Sequence, residues 1–297
     1  MPIVFDDAAQ APRFEAFLEE VFQPDADKAD KIEALLSLMG YTLMSHSRHE
    51  KFVMLIGAGA NGKSVLLSIV EALCGSTNTA GVQPSSFDRT FQRAHLQMKL
   101  ANIVSELKQG EVIADAELKA ITSGEPCTVE QKFKSPFEMR PFATCWFGTN
   151  HMPHTRDFSE ALFRRAVILT FNRVFPPEKQ NPHLKEELLQ ELPVILNLAL
   201  KSYSTALSVG FTEPESSKLA KAEWKLEADH VALFVDECCE TEPKDEVQIS
   251  KLYGRYKLWA DGQNIKKTVA LKSFRDRLTR LGYGHSRKSD GRYVTGL

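Results

Sequence analysis

The strongest constraint on this chain is a glycine loop set between two apolar runs. Residues 57–64 read Gly57-Ala58-Gly59-Ala60-Asn61-Gly62-Lys63-Ser64. They follow Phe52-Val53-Met54-Leu55-Ile56 and precede Val65-Leu66-Leu67-Ser68-Ile69-Val70. That order is strand, loop, helix, with the spacing G-x-x-x-x-G-K-S inside it. Glycines let several backbone N–H groups point at one anion, and the helix opening at Lys63 adds the positive end of its dipole. The pattern predicts a nucleoside-triphosphate cradle made by Gly57, Gly59, Asn61, Gly62, Lys63, Ser64 and Val65. Lys63 is expected to reach the β- and γ-phosphates, and Ser64 to hold Mg2+.

Bulk properties leave room for this site. The 297 residues correspond to about two domains, and 43% hydrophobic content can fill a sizeable core. No apolar run approaches the roughly 20 residues of a membrane span. Asp6 and Asp7 stand where a signal peptide would be basic. Five cysteines without paired C-x-x-C spacing argue against a zinc site or disulfide framework, and fit a reducing cytoplasm. Cys238-Cys239 reads as a buried pair on a helix. The net charge of −2 is uninformative, but its distribution is not. From residue 251 onward twelve basic residues face three acidic ones, a surplus that points to an anionic partner at the C-terminal end.

Hydrophobic spacing predicts helices over 12–45, broken at Pro24-Asp25. Strands are expected at 51–56, 101–105, 142–148 and 166–171, with a weaker one near 79–82. Their alternation with helices predicts an α/β fold with a mainly parallel sheet. A helical stretch runs from about 184 to 209 and ends at Gly210. An acidic helix from 217 to 239, then a polar stretch around Glu242-Pro243, reads as a bridge between domains. Beyond it, a helix near 249–260 carries Leu252, Tyr253, Tyr256 and Trp259, and Asp261-Gly262 forms a turn. A second helix near 269–281 buries Leu271, Phe274, Leu278 and Leu281. Lys272, Arg275 and Arg280 lie opposite that stripe, with Arg277 flanking. Residues 283–294 read as a hairpin bearing Arg287, Lys288 and Arg292, turning at Ser289-Asp290-Gly291. This is the layout of a winged helix-turn-helix. The expected division is a helical segment at 1–50, an ATPase domain at 51–210 and a linker with a basic DNA-binding module at 211–297.

Hydrolysis requires a carboxylate near the terminal phosphate. Glu106, at the end of the strand Ala101-Asn102-Ile103-Val104-Ser105, is the candidate base and a second metal contact. Asn150 ends the strand Thr144 to Thr149, which a parallel sheet opens on the same edge as the loop. Arg164 and Arg165 follow a short helix and are candidates for an arginine finger that enters a neighbouring subunit's site. Lys132, Phe133 and Lys134 sit in a hairpin and can grip a phosphate backbone and stack on a base.

In order, these pieces resemble superfamily 3 helicases of the phage, plasmid and poxvirus primase–helicase type. The matching stretches are the loop at 57–64, Leu118-Lys119-Ala120-Ile121-Thr122-Ser123-Gly124-Glu125-Pro126, Gly148-Thr149-Asn150-His151-Met152-Pro153 and Ala161-Leu162-Phe163-Arg164-Arg165. The resemblance implies a hexameric AAA+ ring that hydrolyses ATP with Mg2+ and moves along single-stranded or forked DNA. It gives Glu106 the Walker B role, Asn150 the sensor role, and one of Arg164 or Arg165 the finger. It puts Lys132 and Lys134 in a pore hairpin. A primase or polymerase domain or subunit is an implied companion; since the chain starts almost at the helical segment, it is expected to be a fragment of a longer protein or a short helicase. Three departures stand out: Ser105 before a lone Glu106, Asn102 within an apolar strand, and Glu130 in the hairpin.

Two other classes compete with a DNA helicase of a mobile element. One is a DNA-binding initiator or regulator that uses ATP only as an assembly switch. The other is a small-molecule kinase, against which the asparagine in the loop, the paired arginines and the basic tail all argue.

Overall fold

The computed structural model describes residues 3, 10–108, 110–155, 157, 159–240, 242, 245–263, 265 and 268–297. Asp6, Asp7, Pro243, Lys266 and Lys267 lie outside the described residues. The chain forms two compact units, Met1–Ala222 and Glu223–Leu297.

The first unit opens with helices α1 (Pro12–Val21) and α2 (Lys28–Thr42). There follow β1 (Phe52–Ile56), α3 (Lys63–Cys74), β2 (Thr79–Ala80), α4 (Thr90–Arg93) and β3 (Ala101–Val104). Next come α5 (Asp115–Ser123), β4 (Cys127–Val129), β5 (Phe137–Met139), β6 (Thr144–Thr149), α6 (Glu160–Phe163) and β7 (Ala166–Thr170). Helices α7 (Leu184–Gln190), α8 (Leu192–Val209) and α9 (Glu215–Ala228) complete it, the last running across the boundary.

Five strands form one parallel sheet in the order β2-β3-β6-β1-β7. Apolar runs such as Phe52 to Leu55 are buried on both faces, which is why they show no alternation. Asn102 is no defect in its strand. It is fully buried, accepts from Val82 N–H at 2.8 Å and donates to the Val82 carbonyl at 2.9 Å, so it ties β3 to the segment after β2. The outer strand β7 has its Ile168 N–H covered by the Ser217 hydroxyl at 3.0 Å, which blunts a sheet edge.

Helices α1, α2, α3, α7 and α8 share one core with the sheet. The helical stretch expected from 184 to 209 is broken at Glu191. Pro193 in the first turn of α8 has no N–H to continue the preceding helix, and the Glu191 carboxylate at the break accepts from the N–H groups of Arg13 (3.1 Å) and Phe14 (2.7 Å) and so caps α1. By length and composition α8 is apolar enough to cross a membrane. Here its Val194, Ile195, Leu196 and Ala199 are buried in the core against α2 and its neighbours.

The second unit contains α10 (His230–Cys238), β8 (Glu246–Gln248), α11 (Ile249–Gly262), α12 (Leu271–Arg280), β9 (Gly284–Lys288) and β10 (Gly291–Thr295). Its core gathers Phe234, Tyr256, Phe274, Leu278 and Val294. The three strands pair antiparallel as β8-β10-β9, adding to the expected hairpin a short strand that the sequence reading did not contain.

Several expectations are corrected in this unit. The helix read from 217 to 239 breaks at Asp229, whose side chain caps α10 by accepting from Val231 and Ala232 N–H. Asp261 and Gly262 end α11 as helical residues and do not form a separate turn. Leu271 and Leu281 are 43% and 40% exposed, since they lie at or beyond the ends of α12, where Phe274 and Leu278 fill the core. Cys238 is exposed and Cys239 half-buried, so they are not a buried pair; they sit at the C-terminal end of α10.

Candidate functional site

The parallel register decides which chemistry meets. β1 pairs with β6 so that Ile56 faces Thr149, and β6 pairs with β3 so that Phe147 faces Val104. The loop at 57–64, Glu106 and Asn150 therefore all emerge on one edge of the sheet. Gly57 N–H donates to the Thr149 carbonyl at 3.2 Å, which fixes the loop's root beside the Asn150 strand.

The loop curls tightly. A side chain at Gly57 would bring a Cβ to 2.4 Å from the Phe171 carbonyl and 2.5 Å from the Asn61 amide nitrogen, so only glycine fits. Gly62 has φ +90° and starts α3 from a left-handed conformation. The first helical hydrogen bond runs from Leu66 N–H to the Gly62 carbonyl. The N–H groups of Lys63, Ser64 and Val65 thus lie in a first turn with no intrahelical acceptor. Asn61 is buried, and its amide donates to the Phe171 carbonyl at 3.4 Å.

Lys63 is the focus. Its ammonium donates to the Gly57 carbonyl, to Asn61 Oδ1 at 3.1 Å and to Asn150 Oδ1 at 3.3 Å. All three acceptors are neutral, and among the described residues no carboxylate pairs with it. Burial pushes the Lys63 pKa down, opposed by the field of Glu106. A buried cation hydrogen-bonded only to neutral oxygens, beside N–H groups with no intrahelical acceptor, suits an anion. Ser64 and Glu106 are exposed at the same edge. Among the described residues no cluster of three or more His, Cys, Asp or Glu is arranged to hold a metal. This donor set suits a Mg2+ that takes few protein ligands and the rest from phosphates and water.

The two arginines differ. Both precede β7 and so lie on the opposite edge of the sheet from the loop, about 15 Å away by strand length. The Arg165 side chain is only 9% exposed, paired with Glu50 at 2.8 Å, and donates to the Ala161 carbonyl and to Ser123 Oγ at 2.8 Å. Arg164 is 61% exposed, 3.6 Å from the same Glu50 oxygen. Glu50 carried no signal in the sequence: it stands in a run of mixed polar residues between two helix and strand patterns.

Strands β4 and β5 form the expected hairpin, and Lys132, Phe133 and Lys134 occupy its tip. Phe133 is 93% exposed with φ +64°, and Lys132 Nζ lies 5.0 Å over its ring. Lys134 donates to Gln131 Oε1 at 2.9 Å, closing the turn. In the second unit, Lys272 and Arg275 of α12 meet Arg292 of β10 around a surface pocket of about 510 Å3 floored by Ile249 and Leu271. Arg287 sits directly across from Arg292 in the hairpin register. Like charges placed opposite each other destabilise a sheet unless an anion neutralises them. Lys288 is paired with Glu246, and Arg280 is exposed at the end of α12. Arg277 is not part of this face; it is half-buried and bonds Asp229 at 3.1 Å.

Residues 55–165 match the model of a family of unknown function, DUF5906, and residues 226–292 match the family described as poxvirus D5 protein-like. A putative helicase, L207/L206, of Acanthamoeba polyphaga mimivirus is 24% identical over 169 residues. That match covers 52% of this chain and 16% of the viral protein, so the chain spans a small part of its relative's length. Two apo structures of the NrS-1 C-terminal region share the fold, with TM-scores of 0.55 and 0.53 at 14% and 13% identity. Each match covers 99% of this chain and 77% or 76% of the other. These comparisons agree with the motif resemblance to superfamily 3 helicases of the primase–helicase type.

Proposed function

We propose that this chain is the motor portion of an ATP-dependent DNA helicase that works as a ring, expected to be hexameric. The observation that carries the reading is Lys63, a buried ammonium held only by neutral oxygens, one of them from Asn150 on the adjacent strand. The γ-phosphate of ATP supplies the missing negative charge. Ser64 and Glu106 would hold Mg2+, which when bound neutralises charge on the phosphates. Glu106 orients the attacking water, and Asn150 reports to Lys63 on the state of the site.

Arg164 is the finger in this reading, and Arg165 is its structural companion. Because the pair lies on the far edge of its own sheet, Arg164 serves a neighbouring subunit's nucleotide. The hairpin tip Lys132-Phe133-Lys134 grips single-stranded DNA through phosphate contacts and stacking. The second unit acts as a winged helix, with α12 and the β9–β10 hairpin as its basic face toward forked DNA.

Lys63→Ala is expected to lower DNA-stimulated ATPase by roughly 100-fold or more and to abolish strand separation on a forked duplex. Intact strand separation in that variant would overturn the proposal. Rapid ATP turnover by the wild type with no strand separation would instead support the assembly-switch reading.

A further inference from the structure

Glu50 occupies a position that no motif assigns. It has φ +51°, a left-handed conformation that a non-glycine residue adopts only when its surroundings enforce it. Its backbone N–H donates to the Ser47 carbonyl at 3.1 Å, closing the turn that Glu50 ends. The turn aims one carboxylate oxygen, Oε2, at both arginines, 2.8 Å from Arg165 Nη2 and 3.6 Å from Arg164 Nη2. The following two residues donate to the backbone carbonyls of the same pair. Lys51 Nζ donates to the Arg164 carbonyl at 2.8 Å, and Phe52 N–H donates to the Arg165 carbonyl at 2.9 Å.

Residues 50–52 thus grip residues 164–165 at three successive points. We infer that Glu50 is the positioning residue of the arginine finger: it locks Arg165 into the wall of the domain and thereby presents Arg164 at the surface for the neighbouring subunit's phosphate. Other acceptors on Arg165, the Ala161 carbonyl and Ser123 Oγ, are neutral, so among the described residues Glu50 supplies the one carboxylate facing this enclosed guanidinium. Without it, an unneutralised cation remains in the wall, and the turn that carries Arg164 is held only through its two backbone carbonyls. The contact to Arg164 is the weak one, long and solvent-exposed, and a phosphate can displace it without disturbing the Arg165 anchor.

This inference rests on the trans-acting finger proposed above, and subunit mixing separates the two. Lys63→Ala subunits lack a nucleotide site but retain a finger; Arg164→Ala subunits have the reverse defect. Mixing them is expected to restore ATPase activity neither shows alone. Replacing the finger donor by Lys63→Ala/Glu50→Gln is expected to lower the restored rate about tenfold, as for a misplaced group far from the chemistry. In the Glu50→Gln single variant, affinity for a fluorescent ATP analogue is expected to stay within about twofold of wild type, so that the loss falls on kcat and not on binding. Glu50→Asp keeps the charge one methylene back; as donor it is expected to fall between wild type and Glu50→Gln, and it decides the matter if Glu50→Gln does not fold. Equal restoration by donors with and without the Glu50 change overturns this inference and leaves the trans finger standing. No restoration with any donor overturns the trans finger and this inference with it.

Discussion

A polar side chain in the middle of a buried strand is tolerated only when its hydrogen bonds are complete. Asn102 meets that condition with both groups of the Val82 peptide. Asn102→Ala leaves that N–H and carbonyl buried and unpaired, and is expected to lower unfolding stability by about 2–4 kcal/mol, read from urea denaturation. Since the amide faces Val82 and not the loop, nucleotide affinity is expected to change far less than stability. The sequence marked Asn102 as an interruption but could not say what it bonded, because Val82 is 20 residues away. Lys31 was less legible still. Helical spacing makes a lysine look like part of a solvated face, yet this one is fully buried, 2.9 Å from Asp25 and 2.7 Å from Thr170 Oγ1. Nothing in the local pattern distinguishes it, since its partners come from the preceding turn and from β7. The difference in burial between Arg164 and Arg165 was illegible for the same reason: adjacent identical residues separate only once Glu50 and Ser123 are in place.

At the scale of elements, apolar runs announced β1, β3, β6 and β7 nearly to the residue, because strands buried on both faces need no alternation. Breaks inside helical stretches were harder. Asp229 is an ordinary helix-compatible acid by sequence and interrupts a helix because its side chain caps α10, whereas the break at Glu191 was signalled by Pro193, which starts α8. The packing of α10 on α11 also carries a pH consequence. His230 Nδ1 lies 2.7 Å from the Tyr256 hydroxyl, which in turn accepts from Val269 N–H at 3.2 Å. Burial, reinforced by Arg277, pushes the His230 pKa below its ordinary value, while Asp229 opposes the shift. The unfolded chain therefore binds the proton more readily than the folded one, and stability rises with pH across this window. His230 is expected to cost nothing above about pH 7 and to erode stability as pH falls through about 6.5 toward its lower folded value. Thermal melts of the full chain between pH 7.5 and 5.5, compared with His230→Phe, check this: the variant's melting temperature is expected to fall less over that interval.

Across the whole molecule, net charge conceals an asymmetry that matters more than the total. Four of the cations after residue 251 lie together: Lys272, Arg275 and Arg292 line one pocket, and Arg287 stands across the hairpin from Arg292. If this face holds DNA phosphates, Lys272→Ala/Arg275→Ala/Arg292→Ala is expected to flatten the plot of log affinity for single-stranded DNA against log salt by about 2 units of slope, three contacts at roughly 0.7 each. An unchanged slope, measured by fluorescence anisotropy across a salt series, would remove the face from the proposed DNA path. The loop, Glu106 and Asn150 were readable from sequence as a set because parallel strands bring their ends to one edge; the support beneath the loop was not. A Cβ on Gly62 would lie 3.1 Å from both Phe17 and Val21, so the loop rests on α1, and α1 is in turn pinned by Glu191. That seat falls outside the stretch 55–165 recognised by the family model. A chain trimmed to begin at β1 would keep every signature letter of the loop and lose the bearing on which it sits.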